Sequence, residues 1–138
     1  MPRAAGKGLQ SLVTLAMFAG VIYAVLNHGL PYMRQLRQSG VTAARADLLA
    51  LGNALENYRT DVGSYPSSSE GLAALMTSPR SNANWHGPYL DHAIYTDPWG
   101  QHYVYRSPGE NTPFDLLSYG SDGEPGGQGD AADISYYR

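Results

Sequence analysis

The sequence predicts an α+β fold: a long N-terminal helix, half membrane anchor and half amphipathic, packed on a small antiparallel sheet with a carboxylate-rich C-terminal loop. Three observations carry this. An uncharged apolar run opens the chain, a stripe of apolar residues at steps of three and four succeeds it, and two segments rich in Tyr and Val flank a Ser-Pro-Gly turn.

Leu9 to Met33 carries no formal charge, and Leu12 to Leu26 is almost wholly apolar. A bilayer crossing needs about 20 apolar residues, a length reached here by including Gln10, Ser11, Asn27 and His28. Arg3 and Lys7 precede the run with no acid among them, which favours a cytoplasmic N-terminus and an exported remainder. A cleavable secretory signal is the alternative. Against it, the run exceeds the usual ~7–15 residues and no small-x-small pattern comes after Leu26.

Beyond Pro31, Val41, Ala44, Leu48, Leu51, Leu55 and Tyr58 fall on one helical face, while Asp47, Glu56 and Arg59 lie off it. Gly63 and Pro66 end this helix. Gly29, Pro31 and Gly40 lead us to expect a kink or a melted stretch between anchor and amphipathic half. Ser67 with Glu70 forms a capping-box pattern ahead of Leu72, Leu75 and Met76, which predicts a short second helix. Gln101 to Arg106 and Phe114 to Tyr119 read as an antiparallel pair covering the stripe, with a third short strand expected near Tyr89.

Gly and Pro cluster after residue 60, and the chain has no cysteine. A small loop-rich head of this kind needs reinforcement other than disulfides or thiolate-bound zinc. The net charge of −3 and the single lysine speak against nucleic acid as a partner. His28, His86, His92 and His102 are scattered without zinc-site spacing, and no nucleophile motif suggests an enzyme. Tyr58, Tyr65, Tyr89, Tyr95, Tyr103, Tyr105, Tyr119, Tyr136 and Tyr137 fit core-edge packing better than a sugar-stacking face.

Six of the twelve carboxylates, Glu110, Asp115, Asp122, Glu124, Asp130 and Asp133, fall between Arg106 and Arg138 with no basic residue among them. Asp115 and Asp122 stand seven residues apart, and Gly120, Gly123, Gly126, Gly127 and Gly129 let the backbone fold tightly. Calcium takes six to eight oxygens, carbonyls included, so the loop suits it, although it is no EF-hand. A solvated acidic loop is the alternative.

In their order along the chain, these blocks resemble the major pseudopilin of bacterial type II secretion. They run from Ala46-Asp47-Leu48 and Ala54-Leu55-Glu56-Asn57-Tyr58-Arg59 through Gly63-Ser64-Tyr65-Pro66, Glu70-Gly71-Leu72 and Asp97-Pro98-Trp99-Gly100. They continue with Ser107-Pro108-Gly109-Glu110, Ser118-Tyr119-Gly120-Ser121-Asp122-Gly123, Gly126-Gly127-Gln128-Gly129 and Ala132-Asp133-Ile134. The resemblance implies a type IV pilin-like fold and a homopolymer, with other pseudopilins, in a periplasmic filament that helps export folded proteins across the outer membrane. It also implies an inner-membrane assembly platform and a prepilin peptidase as partners. Asp115 and Asp122 correspond to the family's side-chain calcium ligands, with Asp133 and Asp130 as further candidates.

The same resemblance divides the chain into a basic leader (1–8), a transmembrane and filament-core helix (9–30) and a periplasmic head (31–138). It places cleavage between Gly8 and Leu9, with methylation of the new terminus. Val13 then occupies the fifth mature position, where the family carries Glu, and no carboxylate precedes Asp47. Two other readings stay open: an accessory or tip-like pseudopilin, and a monomeric membrane-tethered module binding calcium or carbohydrate.

Overall fold

The computed structural model describes residues 5–79 and 82–137, so Arg3 of the basic leader lies outside the described residues. Two compact units divide the chain, one up to Arg37 and one from Gln38 onward.

In the first unit, α1 (Ala5–Ala24) runs into a π-helical turn, Val25–Gly29, and then into the start of α2 (Leu30–Val62). The Leu30 N–H reaches back five residues to the Val25 carbonyl, and Asn27 Nδ2 donates to the Tyr23 carbonyl at 2.9 Å. The stretch between anchor and amphipathic half is therefore helical and not melted, with one widened turn at Val25–Gly29. Pro31 comes two residues after this widened turn, the kind of π-bulge that accommodates a proline inside a continuing helix.

The second unit is built on the rest of α2. Ala44, Leu48, Leu51, Leu55 and Tyr58 are buried as the 3-4 spacing predicts, Val41 packs at the margin, and Ala54 joins them. Gly63, at φ 93°, ends the helix by donating its N–H to the Arg59 carbonyl at 2.8 Å, a left-handed cap that a side chain would strain.

The capping box forms: the Ser67 N–H donates to Glu70 Oε2 at 2.8 Å, and the Glu70 N–H donates to Ser67 Oγ at 3.3 Å. The box leads into the expected short helix, Gly71–Leu75, which is a 3-10 turn in type. Gly71 enters it at φ 61°, which breaks the α-helical path at its first residue. Leu72, Ala74 and Leu75 are nevertheless buried.

Strands β1 (Val104–Arg106), β2 (Asp115–Ser118) and β3 (Ile134–Ser135) form an antiparallel sheet in the order β1-β2-β3. Val104 pairs with Leu117 and Arg106 with Asp115, while Ser118 pairs with Ile134. The third strand thus comes from the C-terminus and not from the Tyr89 segment, whose Tyr89 N–H donates to the Leu75 carbonyl. Phe114 lies at the centre, fully buried, with Tyr65, Tyr136 and Tyr137 rings 4.9, 5.6 and 5.3 Å from its own.

Two α2 glycines are there for close approach. A Cβ at Gly52 would overlap the Tyr136 ring, and one at Gly40 would stand 2.9 Å from the Trp99 ring. Gly40 is thus a seat for an indole, not the helix interruption expected of it. The Tyr136 ring is held between Phe114 and Tyr137 and cannot swing away. Gly52→Ala should therefore lose more by overpacking, about 1–3 kcal/mol, than the ~1 kcal/mol it gains in helix propensity. Thermal unfolding monitored by circular dichroism should show a lower Tm than wild type, and an unchanged or raised Tm would contradict the packing at this point.

Candidate functional site

In the first unit, Thr14–Met33 is long and apolar enough to cross a membrane, and none of it is buried. Leu15, Phe18, Val21, Ile22 and Leu26 are each more than half exposed. Apolar surface this continuous, on all sides of one helix, requires lipid or other apolar helices to cover it. Gly8, Leu9 and Val13 belong to the backbone of α1, and their side chains lie outside the described residues.

In the second unit, Asp122, Asp130 and Asp133 fall in one loop. Asp122 sits in the 3-10 turn Gly120–Asp122 and its Oδ1 accepts the Glu124 N–H at 3.2 Å. Asp133 Oδ1 accepts the Gly126 N–H at 2.9 Å, and the Asp133 N–H returns to the Gly126 carbonyl at 3.1 Å. Asp130 occupies the 3-10 turn Gly129–Ala131. The loop closes on Gly120, where an added Cβ would meet the Asp130 carbonyl oxygen at 2.7 Å and the Ala132 carbonyl oxygen at 2.9 Å.

Asp115 precedes the loop in the chain. It opens β2, and roughly 10 Å of strand separates it from Ser118 at the other end. Its Oδ1 accepts the Thr112 hydroxyl at 3.1 Å and its Oδ2 accepts the Glu110 N–H at 3.2 Å, which ties the β1–β2 connection. Among the described residues no three His, Asp or Glu side chains group around one point. In donor chemistry the loop fits a hard cation, because its candidate donors are carboxylate and backbone carbonyl oxygens, with the Asp130 and Ala132 carbonyls packed against Gly120.

The tyrosines dock on the flanks of α2. Tyr103 donates its hydroxyl to Asp47 Oδ2 at 2.9 Å, Tyr65 to Glu56 Oε1 at 2.7 Å, and Tyr89 to Asp61 Oδ2 at 2.9 Å. Tyr105 reaches the Pro66 carbonyl at 2.8 Å. Arg59 bridges to Glu56 at 3.2 Å and stands 5.5 Å above the Tyr65 ring. The four rings are thereby used for packing and not laid out as a sugar platform. Burial pushes the hydroxyls of Tyr65 and Tyr105 up to about 12, with the Glu56 bond adding to the effect on Tyr65. Burial first, and then the bond to Asp47, also raises Tyr103.

An apolar N-terminal helix together with an amphipathic helix under a three-stranded antiparallel sheet defines a pilin-like protein. The family model for type II secretion system protein G matches residues 31–137. The type II secretion system core protein G of Pseudomonas aeruginosa is 36% identical over 94% of this chain and 92% of its own length. That of Xanthomonas campestris pv. campestris is 35% identical over 98% of this chain and 93% of its own. The crystal structure of the major pseudopilin from the type 2 secretion system of enterohaemorrhagic Escherichia coli, 30% identical, gives a TM-score of 0.62 and covers 77% of this chain and 94% of that one. The chain belongs to the type II secretion system protein G family and is a pseudopilus subunit, in a family of structural pseudopilins.

Sequence reasoning did not pair the tyrosines with their carboxylates, because the partners stand 56, 9 and 28 residues apart. The only trace is that Asp47 and Glu56 lie off the apolar stripe. A neutral tyrosine is the form the fold retains, so the stabilisation from Tyr65 and Tyr105 is complete below their unfolded value of about 10 and is lost as pH rises through about 12. Stability should fall over that window, with unfolding and tyrosinate absorbance rising together. Tyrosinate formation complete near pH 10 with the fold intact would contradict these hydroxyl contacts.

Proposed function

We propose that this chain polymerises, as a homopolymer and with other pseudopilins, into a periplasmic filament whose core is the apolar helix. The observation that carries this reading is the uncovered apolar surface of Thr14–Met33 in a protein G family member. Before assembly, lipid covers that surface: the helix crosses the inner membrane once, N-terminus cytoplasmic, as Arg3 and Lys7 favour. A prepilin peptidase removes residues 1–8, cutting between Gly8 and Leu9, and the new terminus is methylated. An inner-membrane platform then adds subunits to the filament, which helps folded proteins cross the outer membrane.

Val13 favours a second reading, an accessory or tip-like subunit. A buried glutamate at that position would need a cationic partner such as a neighbour's terminal ammonium. Val13 removes the cost and the pairing alike, so docking rests on helix packing. Identity to core protein G over nearly the whole chain supports the major-subunit reading.

The head binds calcium in the loop that holds Asp122, Asp130 and Asp133. In this reading Asp122, in the Gly120–Asp122 turn, and Asp115, which opens β2, supply the side-chain carboxylates, with backbone carbonyls of the loop, and Asp133 and Asp130 are further candidates. Calcium supplies the positive charge that offsets the carboxylates there. Full-length protein purified in detergent tests both parts. Intact mass should show loss of Met1 to Gly8, and a mature chain starting beyond Leu26 would mean an ordinary secretory signal. Calcium at 100 times its Kd should stabilise the head by about 2.7 kcal/mol, raising Tm in wild type but not in Asp122→Ala. Identical melting with calcium and with chelator would remove the site.

A further inference from the structure

The most deeply buried carboxylate of the head, Asp97, lies in neither the apolar helix nor the C-terminal loop. It is 5% exposed, and donors surround it: the Trp99 N–H at 3.0 Å and the Gln101 N–H at 2.9 Å on Oδ1, and the Ser118 hydroxyl at 2.5 Å on Oδ2. Ser118, fully buried, uses the same oxygen to accept the Gly120 N–H at 3.0 Å. A buried charge of this kind is costly unless donors satisfy it, and losing one donor leaves the full penalty.

The turn that Asp97 organises touches two other parts of the head. Toward the C-terminal loop, the Ser118 hydroxyl holds Gly120, and the Gln101 side chain lies against Gly123, where a Cβ would stand 3.0 Å from its Cδ. Toward α2, Trp99 presses on Gly40, close in sequence to the junction of the two units at Arg37 and Gln38. The loop that carries Asp122, Asp130 and Asp133 and the first turns of the head's helix are thus held by one short turn.

We propose that Asp97 and Ser118 form a positioning relay that couples order in the 120–133 loop to the packing of Trp99 on α2 at Gly40. The relay deepens the calcium reading and in that respect rests on it, since it gives ion binding at the loop a route to α2. Its hydrogen bonds act with or without the ion. Asp97 is a positioning residue: it sets the loop through Ser118 and the indole through its own turn.

The test uses the full-length chain in detergent. Hydrogen exchange is measured in chelator and in calcium for wild type, Ser118→Ala and Asp97→Asn, and Trp99 emission is read in a Trp85→Phe background. In chelator, Ser118→Ala should speed exchange about tenfold both at residues 120–133 and at residues 38–42, and should shift Trp99 emission. The Leu48–Tyr58 amides should change far less. Asp97→Asn, which keeps the acceptor for Trp99 and Gln101, should loosen the loop more than the Trp99 contact. Faster exchange in the loop with residues 38–42 and Trp99 unchanged would overturn the coupling, as would a uniform rise across the head. Calcium titration by calorimetry keeps the two claims apart: no bound calcium sinks the ion reading, and the exchange pattern in chelator still decides the relay.

Discussion

Everything in the head depends on α2 burying one face. Leu48, Leu51 and Leu55 from the helix meet Leu116 from β2, Phe114 just before it, and Leu72 and Leu75 from the 3-10 turn, with almost no exposure. Each such side chain contributes about 1.5–3 kcal/mol, against about 1 kcal/mol net for an ordinary hydrogen bond. The apolar contacts therefore set the fold, and the polar ones fix its register. Three strands of two to four residues could not stand alone. They exist because the helix offers them a surface.

The polar contacts show a division of labour. With no cysteine, the head is tied by tyrosine hydroxyls on Asp47, Glu56 and Asp61 along α2 and by the buried pair of Asp97 and Ser118. The first set holds the segment just before β1 and the loops to the helix. The second connects the end of β2 with the turn that carries Trp99. The C-terminal carboxylates lie in a glycine-rich loop whose backbone folds on itself.

Much of this was legible from local spacing. The stripe from Val41 to Tyr58, the stop at Gly63, the capping box at Ser67 and Glu70 and the two main strands all come from periodicity and turn chemistry within a few residues. The parts that were not legible are long-range. Ile134–Ser135 is too short to show alternation, so its place beside β2 is invisible until the sheet exists. Gly40 reads as a breaker until Trp99 is seen upon it. Asp97 gives no sign in sequence that it is buried.

In the proposed filament, the apolar helix is covered by copies of itself when the subunit is at work, and cross-linking tests this most directly. Because the chain has no cysteine, a pair placed on that helix, Leu15→Cys with Leu26→Cys, reports only contacts between subunits. Oxidative cross-linking should be carried out in cells that also carry a secretion assembly system, with the products separated on a denaturing gel. A ladder at multiples of the subunit mass, lost when assembly is disabled, is the expected result. Monomer alone, at normal membrane levels and with a folded head, would contradict it.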